Sequence, residues 1–194
     1  MREKPFICFI ESAQGVGKST VVRKLREILP YTTSLDLTGC PDKTKSGEDK
    51  VLKYHSKILQ MFEDTRELGM NWLCSRSFMS EKIYCNLQYK PYNFDFNFYS
   101  LCQELKYLTQ YYDIYFIHLT ADRWQLEERL KRDKFEYNSF SVENSVSQQK
   151  QYYKEMLYVA ENCENVKVFQ IPNDDLQKTV DTIKDLILTN MIGD

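Results

Sequence analysis

Residues Glu11-Ser12-Ala13-Gln14-Gly15-Val16-Gly17-Lys18-Ser19-Thr20 decide how the rest of this 194-residue chain is read. They follow a continuous apolar run, Phe6-Ile7-Cys8-Phe9-Ile10, and precede a helical stripe of Val21, Val22, Leu25, Ile28 and Leu29 that stops at Pro30. A short run that is apolar at every position suits a strand buried on both faces. A glycine-rich turn between such a strand and a helix is a phosphate cradle. Gly15 and Gly17 allow the tight turn and turn backbone N–H groups inward, and the helix N-terminus adds its positive dipole end. Lys18 is placed to bridge the β- and γ-phosphates and Ser19 to put its hydroxyl on Mg²⁺. Ala13, Gln14, Gly15, Val16, Gly17, Lys18, Ser19 and Thr20 are therefore the candidate nucleotide-binding residues. Ser12 stands where the pattern G-x-x-x-x-G-K-[ST] has its first glycine.

Working outward, the same two textures alternate. Short apolar runs recur at Trp72–Cys74, Ile114–Leu119 and Val166–Ile171, the last interrupted by Lys167 and Gln170, with a weaker one at Leu35–Leu37. Between them lie helical stripes. One holds Val51, Leu52, His55, Ile58, Leu59 and Phe62, and another Phe98, Leu101, Cys102, Leu105 and Leu108. Trp124, Leu126 and Leu130 give a short one, and Val146, Tyr153, Leu157 and Ala160 the next. Leu176, Val180, Ile183 and Ile187 form the last, with Asn173 or Asp174 as its expected cap. The order β-α-β-α-β-α-β-α-α-β-α predicts a parallel sheet with right-handed crossovers and helices on both faces. Two polar stretches break the pattern: Thr38–Lys50, read as a surface loop, and Lys131–Ser145, between two helices. Nothing marks an internal repeat or linker, so residues 1–194 are read as a single domain.

Composition bounds the class. Hydrophobic residues make up 42% and charged residues 28%, which is globular and excludes a disordered chain. Lys and Arg number 26 and Asp and Glu 28, a net charge of -2, which argues against a nucleic-acid binder held by bulk positive charge and leaves no evident nucleic-acid track. The six cysteines contain no C-x-x-C pair and read as reduced thiols. His55 and His118 are the only histidines, which disfavours a His-rich metal site or a His-centred triad. No apolar run approaches the ~18 residues of a membrane span, and no leader is visible, so the expected location is cytoplasmic.

The sequence resembles the P-loop nucleoside and nucleotide kinases, thymidylate kinase and the deoxynucleoside kinases among them. Glu11 to Ser19 has the spacing of their E-G-x-x-G-x-G-K-S, with Ser12 for the first Gly. Leu73-Cys74-Ser75-Arg76-Ser77-Phe78-Met79-Ser80-Glu81-Lys82-Ile83-Tyr84 is similar to their D-R-Y-x-x-S or E-R-S-x-x-S segment, with Ser75 where they carry an acid. The resemblance implies a three-layer α/β fold with a five-stranded parallel sheet in the order 2-3-1-4-5 and a short lid at about residues 131–145. It implies ATP and Mg²⁺ as cofactors, with Mg²⁺ on Ser19 and Asp36. Arg76 would hold the acceptor and Asp36 would orient it, while Arg129 and Arg132 would close over the donor as lid arginines. Glu11, Gln60, Phe78 and Tyr84 fall on the acceptor side; Phe62, Phe78 and Tyr84 are also candidate core aromatics. The implied reaction is ATP-dependent phosphoryl transfer to a nucleoside monophosphate, thymidylate kinase-like. A deoxynucleoside kinase acting on the 5′-hydroxyl and a non-catalytic nucleotide-binding switch are the alternatives. A homodimer is the implied association.

Overall fold

The computed structural model describes residues 4–37, 42, 44–132 and 141–192, apart from the side chains of Arg132 and of residues 190–192. Five strands form one sheet: β1 (Phe6–Ser12), β2 (Thr32–Asp36), β3 (Asn71–Ser75), β4 (Asp113–Thr120) and β5 (Val166–Pro172). Their order is β2-β3-β1-β4-β5 and every pairing is parallel. The helices are α1 (Lys18–Ile28), α2 (Ser46–Asp64), α3 (Phe78–Asn86), α4 (Asp95–Leu108), α5 (Arg123–Arg132), α6 (Val142–Asn162) and α7 (Leu176–Ile192), with a 3₁₀ turn at Arg66–Leu68.

Alternation along the strands splits the interior into two cores. Ile7, Phe9, Ile114 and Phe116 face α2, α3, α4 and α6, meeting Phe62, Phe78, Phe98 and Met156. Phe6, Cys8, Ile10, Tyr115 and Ile117 face the other way, toward Val21 and Leu25 of α1 and Val180 and Ile183 of α7. The result is the three-layer arrangement expected, with the topological switch at β1, where strand order reverses and the C-terminal strand ends open a crevice.

Several elements depart from the sequence reading. The helix α3 was not expected as a separate element. Its residues Phe78 to Ile83 are all buried, so it carries no polar stripe to betray its period. Residues Ser46–Lys50, read as loop, begin α2. Lys131 and Arg132 belong to α5 and Val142–Ser145 to α6, while residues 133–140 of the expected lid lie outside the described residues. Trp124 is exposed rather than core. The cap of α7 is Asp175, whose Oδ1 accepts from Lys178 N at 2.9 Å, and not Asn173 or Asp174.

The stripe on α6 was assigned to the wrong face. Tyr153, Leu157 and Ala160 are exposed, and the buried face holds Ser145, Gln148, Tyr152, Glu155, Met156 and Val159. Among the described residues, Cys8, Cys74, Cys102 and Cys163 are buried free thiols and Cys85 is a half-buried one. No helix among them is long and apolar enough to cross a membrane.

Candidate active site

The loop after β1 is held from three sides. Gly15 and Gly17 have φ of 79° and 98°, the left-handed region where a side chain is strained. A Cβ on Gly17 would lie 2.8 Å from Asn173 Nδ2, and one on Gly15 3.1 Å from Leu130 Cδ2. The Val16 carbonyl accepts from Arg129 Nη1 at 2.8 Å and from Asn173 Nδ2 at 2.6 Å, and Arg129 Nη2 donates to the Asn173 carbonyl at 2.6 Å. Gln14 N donates to Gln148 Oε1 at 3.3 Å. The β5–α7 connection, α5 and α6 thus fix the loop's shape without using the backbone N–H groups of Gly15 to Ser19. Ser12, at the position that departs from the motif, is buried with its hydroxyl unpartnered among the described residues.

Beneath the loop, polar residues gather at the C-terminal ends of β1, β2 and β3. In register, Ser75 stands beside Ile10 on one side and Asp36 on the other. Lys18 Nζ donates to Ser75 Oγ at 2.9 Å. Glu11 is fully buried; its Oε1 accepts from Ser77 Oγ and its Oε2 from Ser80 Oγ at 3.0 Å. Because Ser80 spends its proton on Glu11, the Tyr152 hydroxyl 2.8 Å away is the donor to Ser80. Arg76 leaves β3 with φ 75°, an uncommon conformation for a side-chain-bearing residue, pinned by its N–H to the Ile10 carbonyl at 3.0 Å. Its guanidinium makes no hydrogen bond or ion pair among the described residues.

Burial sets the charges at odds with water. Burial lifts the Glu11 carboxyl to about 7 against the opposing pull of Ser77, Lys18, Ser80 and Arg76. The Lys18 ammonium is pushed down to about 8, first by burial and then by the charge of Arg76, with Glu11 and Asp36 acting the other way. Two cations therefore sit close together at one end of the sheet, and an anion placed between them relieves both.

The structure brings Glu11, Lys18, Asp36 and Arg76 of the expected residues into this cluster, and Ser19 opens beside it. Ser19, Asp36 and Ser75 line one cavity of about 380 Å³, with Arg23 and Arg26 on its wall. One hydroxyl and one carboxylate fit a Mg²⁺ that takes its remaining ligands from phosphate oxygens and water, the usual habit of that ion. Tyr84 reaches the electrostatic neighbourhood of Arg76 and Glu11, and burial raises its hydroxyl.

Two acceptor-side expectations fall elsewhere. Phe78 is fully buried in the α2/α4 core, edge-on to Phe98 at 5.5 Å and to Phe116 at 6.4 Å, as is Phe62. Gln60 sits exposed near the C-terminus of α2, bonded to Asp64 at 3.0 Å, toward the end of the sheet where β3 begins. Arg129 holds carbonyls of the loop, and the Arg132 side chain is outside the described residues.

Sequence reading gave no site role to Ser77 and Ser80, the serines of the Arg76 segment, to Asn173, expected only as a cap, or to Tyr152 and Gln148, which carry no motif of their own. Glu81, of the same segment, is buried, with Oε1 accepting from Tyr92 OH and Oε2 unpartnered among the described residues.

No family model matches the chain, and no curated protein matches it in sequence. Solved structures do match in shape. Deoxyadenosine kinase from M. mycoides, with products dCMP and a flexible dCDP bound, superposes with a TM-score of 0.61 over 95% of this chain and 100% of that one, at 16% identity. The dATP-bound form of that enzyme gives 0.60 over 94% and 99%, also at 16%. Thymidylate kinase from Candida albicans gives 0.60 over 98% and 94%, again at 16%. The chain has the P-loop fold of the nucleoside and nucleotide kinases. At this identity the likeness establishes the architecture, and the chemistry has to be argued from the site.

Proposed function

We propose that the protein transfers the γ-phosphoryl group of ATP to a nucleoside monophosphate. The observation that carries this reading is the pair Lys18 and Arg76 at the crevice, with Ser75 between the strand end and the loop where an acid would neutralise them. A phosphate acceptor supplies that missing negative charge itself; a hydroxyl acceptor does not.

The triphosphate lies on the N–H groups of Gly15 to Ser19 at the start of α1. Ser19 and Asp36 would hold Mg²⁺, which when bound would neutralise negative charge on the triphosphate. Arg76 grips the acceptor phosphate in a bidentate fork. An acceptor phosphate oxygen forms a bond to the γ-phosphorus as the bond to the β-bridging oxygen breaks, giving ADP and a nucleoside diphosphate. No proton must be removed from a monophosphate dianion, so the reaction needs positioning and charge stabilisation rather than a base. Lys18 follows the charge that moves onto the β–γ bridge.

A second reading, phosphorylation of a deoxynucleoside 5′-hydroxyl, rests on Asp36, which shares its cavity with Ser19 and Ser75 and would serve as proton acceptor. The variant Arg76→Ala separates the two. If Arg76 grips an acceptor phosphate, kcat/KM for the acceptor falls ~100-fold with the KM for ATP little changed, as expected for losing a charge-assisted pair. An unchanged acceptor KM contradicts the reading.

A further inference from the structure

On the face toward α6, the sheet changes character between two successive rungs. Phe9, Phe116 and Val168 stand side by side in register; two residues on, Glu11, His118 and Gln170 do the same. Glu11 is satisfied by serines and Gln170 is exposed at the β5 edge. His118, between them, is 1% exposed, and neither imidazole nitrogen has a hydrogen-bond partner among the described residues. Its ring lies against Tyr152, with centroids 5.3 Å apart. Leaving a buried polar group without a hydrogen bond is costly, so this ring is short of a partner.

His118 also lines a cavity of about 540 Å³ that shares no residue with the phosphate loop. That is ample for a small organic ligand. Its rim is braced: Gln149 Oε1 accepts from Ala121 N at 2.7 Å while its Nε2 donates to Ala121 O at 3.1 Å, tying α6 to the end of β4. Val146, half-buried against the α1/α7 core, and the exposed Tyr153 form one wall. Asp122 and Asp174 stand exposed among the lining residues, against the single cation Lys150.

We propose that this cavity binds an uncharged nucleoside, its base edge hydrogen-bonded to His118, its ring on Tyr153 and its sugar hydroxyls on Asp122 and Asp174. Burial holds the imidazole neutral down to a pH of about 4, so it offers one donor and one acceptor. The two ring nitrogens diverge, so one of them meets the base, and a nucleobase edge carries both donors and acceptors to complement whichever function that nitrogen presents. A phosphate would find no charged partner at the floor and two carboxylates to one ammonium at the rim. Carboxylates there accept readily from vicinal hydroxyls. The site goes beyond the kinase reading and does not depend on it.

The chain's two histidines make the test direct. His55 is buried among Tyr54 and Phe78 and serves as an internal control. The ¹⁵N-labelled protein is titrated with adenosine, guanosine, cytidine and thymidine while the imidazole nitrogens are followed by NMR. At least one nucleoside should move the His118 nitrogens saturably and leave those of His55 in place. His118→Phe should weaken that binding ~10-fold or more, the worth of one to two hydrogen bonds. Val146→Trp, which narrows the cavity from its α6 wall and leaves the histidine in place as the reporter, should abolish the His118 response even if the His118 variant folds poorly. No response to any of the four, a response at both histidines, or one that survives Val146→Trp overturns the proposal. The first of these means that His118 is an unpaired core residue or is bonded to water only.

Discussion

Lys18 donates from Nζ to the Ser75 hydroxyl at 2.9 Å, across 57 residues of sequence. Lys18 is thus parked on a serine hydroxyl at the end of β3, where the kinases that the sequence resembles carry an acid. A neutral hydroxyl holds the ammonium in place without cancelling it, so its charge stays available to phosphate.

Installing the acid tests that arrangement. In Ser75→Asp the carboxylate pairs with Lys18 and repels an incoming acceptor phosphate. We expect the KM for a nucleoside monophosphate to rise ~10-fold or more, the scale of one unfavourable charge contact near a protein surface. Steady-state kinetics on both substrates would show it. A lower acceptor KM would favour a hydroxyl acceptor instead.

Arg129 gives a second test because its position specifies a role. It binds the carbonyls of Val16 and Asn173, so it acts on the shape of the loop. Arg129→Ala should raise the KM for ATP ~10-fold and lower stability by about 1–3 kcal/mol, the cost of leaving the Asn173 carbonyl without its donor while the Val16 carbonyl keeps Asn173 Nδ2. A lid arginine that closes on the transferred group would behave differently: kcat would fall by ~1,000-fold, with thermal stability unchanged.

The Glu11 carboxyl couples folding to pH. Its value is raised to about 7 in the folded protein from 4.5, so the folded state binds the proton more tightly than the unfolded chain. Its contribution to stability is full below about 4.5, declines as pH rises, and is lost above about 7. His55 and His118 are lowered to about 4 from 6.5 and contribute the opposite trend, losing stability as pH falls through that window. Glu11→Gln should therefore steepen the net gain in stability between pH 4.5 and 7, measured by denaturant unfolding across that range. An unaltered slope would mean that Glu11 is ionised throughout.

The fold was legible in the sequence because the strands and the loop are written in residues whose types leave little choice. Phe6–Ile10 and Ile114–Ile117 are apolar on both faces, and Gly15 and Gly17 occupy positions with positive φ. What stayed hidden lies where burial and polarity coincide. On α6 the face turned inward carries Ser145, Gln148 and Glu155, because Gln148 serves the loop and Glu155 receives Asn86. A hydrophobicity stripe then points to the wrong side of the helix. The helix α3 hides for the same reason, since its buried Ser80 and Glu81 look like surface residues to any pattern reading. Within the site, motif positions were readable, whereas Tyr152 and Asn173 reach it through tertiary contacts with no local signature.

The most direct test is the identity of the product. The protein, ATP and Mg²⁺ are incubated with a panel of common nucleosides and nucleoside monophosphates, with Lys18→Ala as control, and the mixture is read by mass spectrometry. The account predicts a nucleoside diphosphate formed with one ADP, and its loss by ~100-fold or more in the Lys18 variant. A nucleoside monophosphate as product, ADP with no phosphorylated acceptor, or full activity in Lys18→Ala would contradict it.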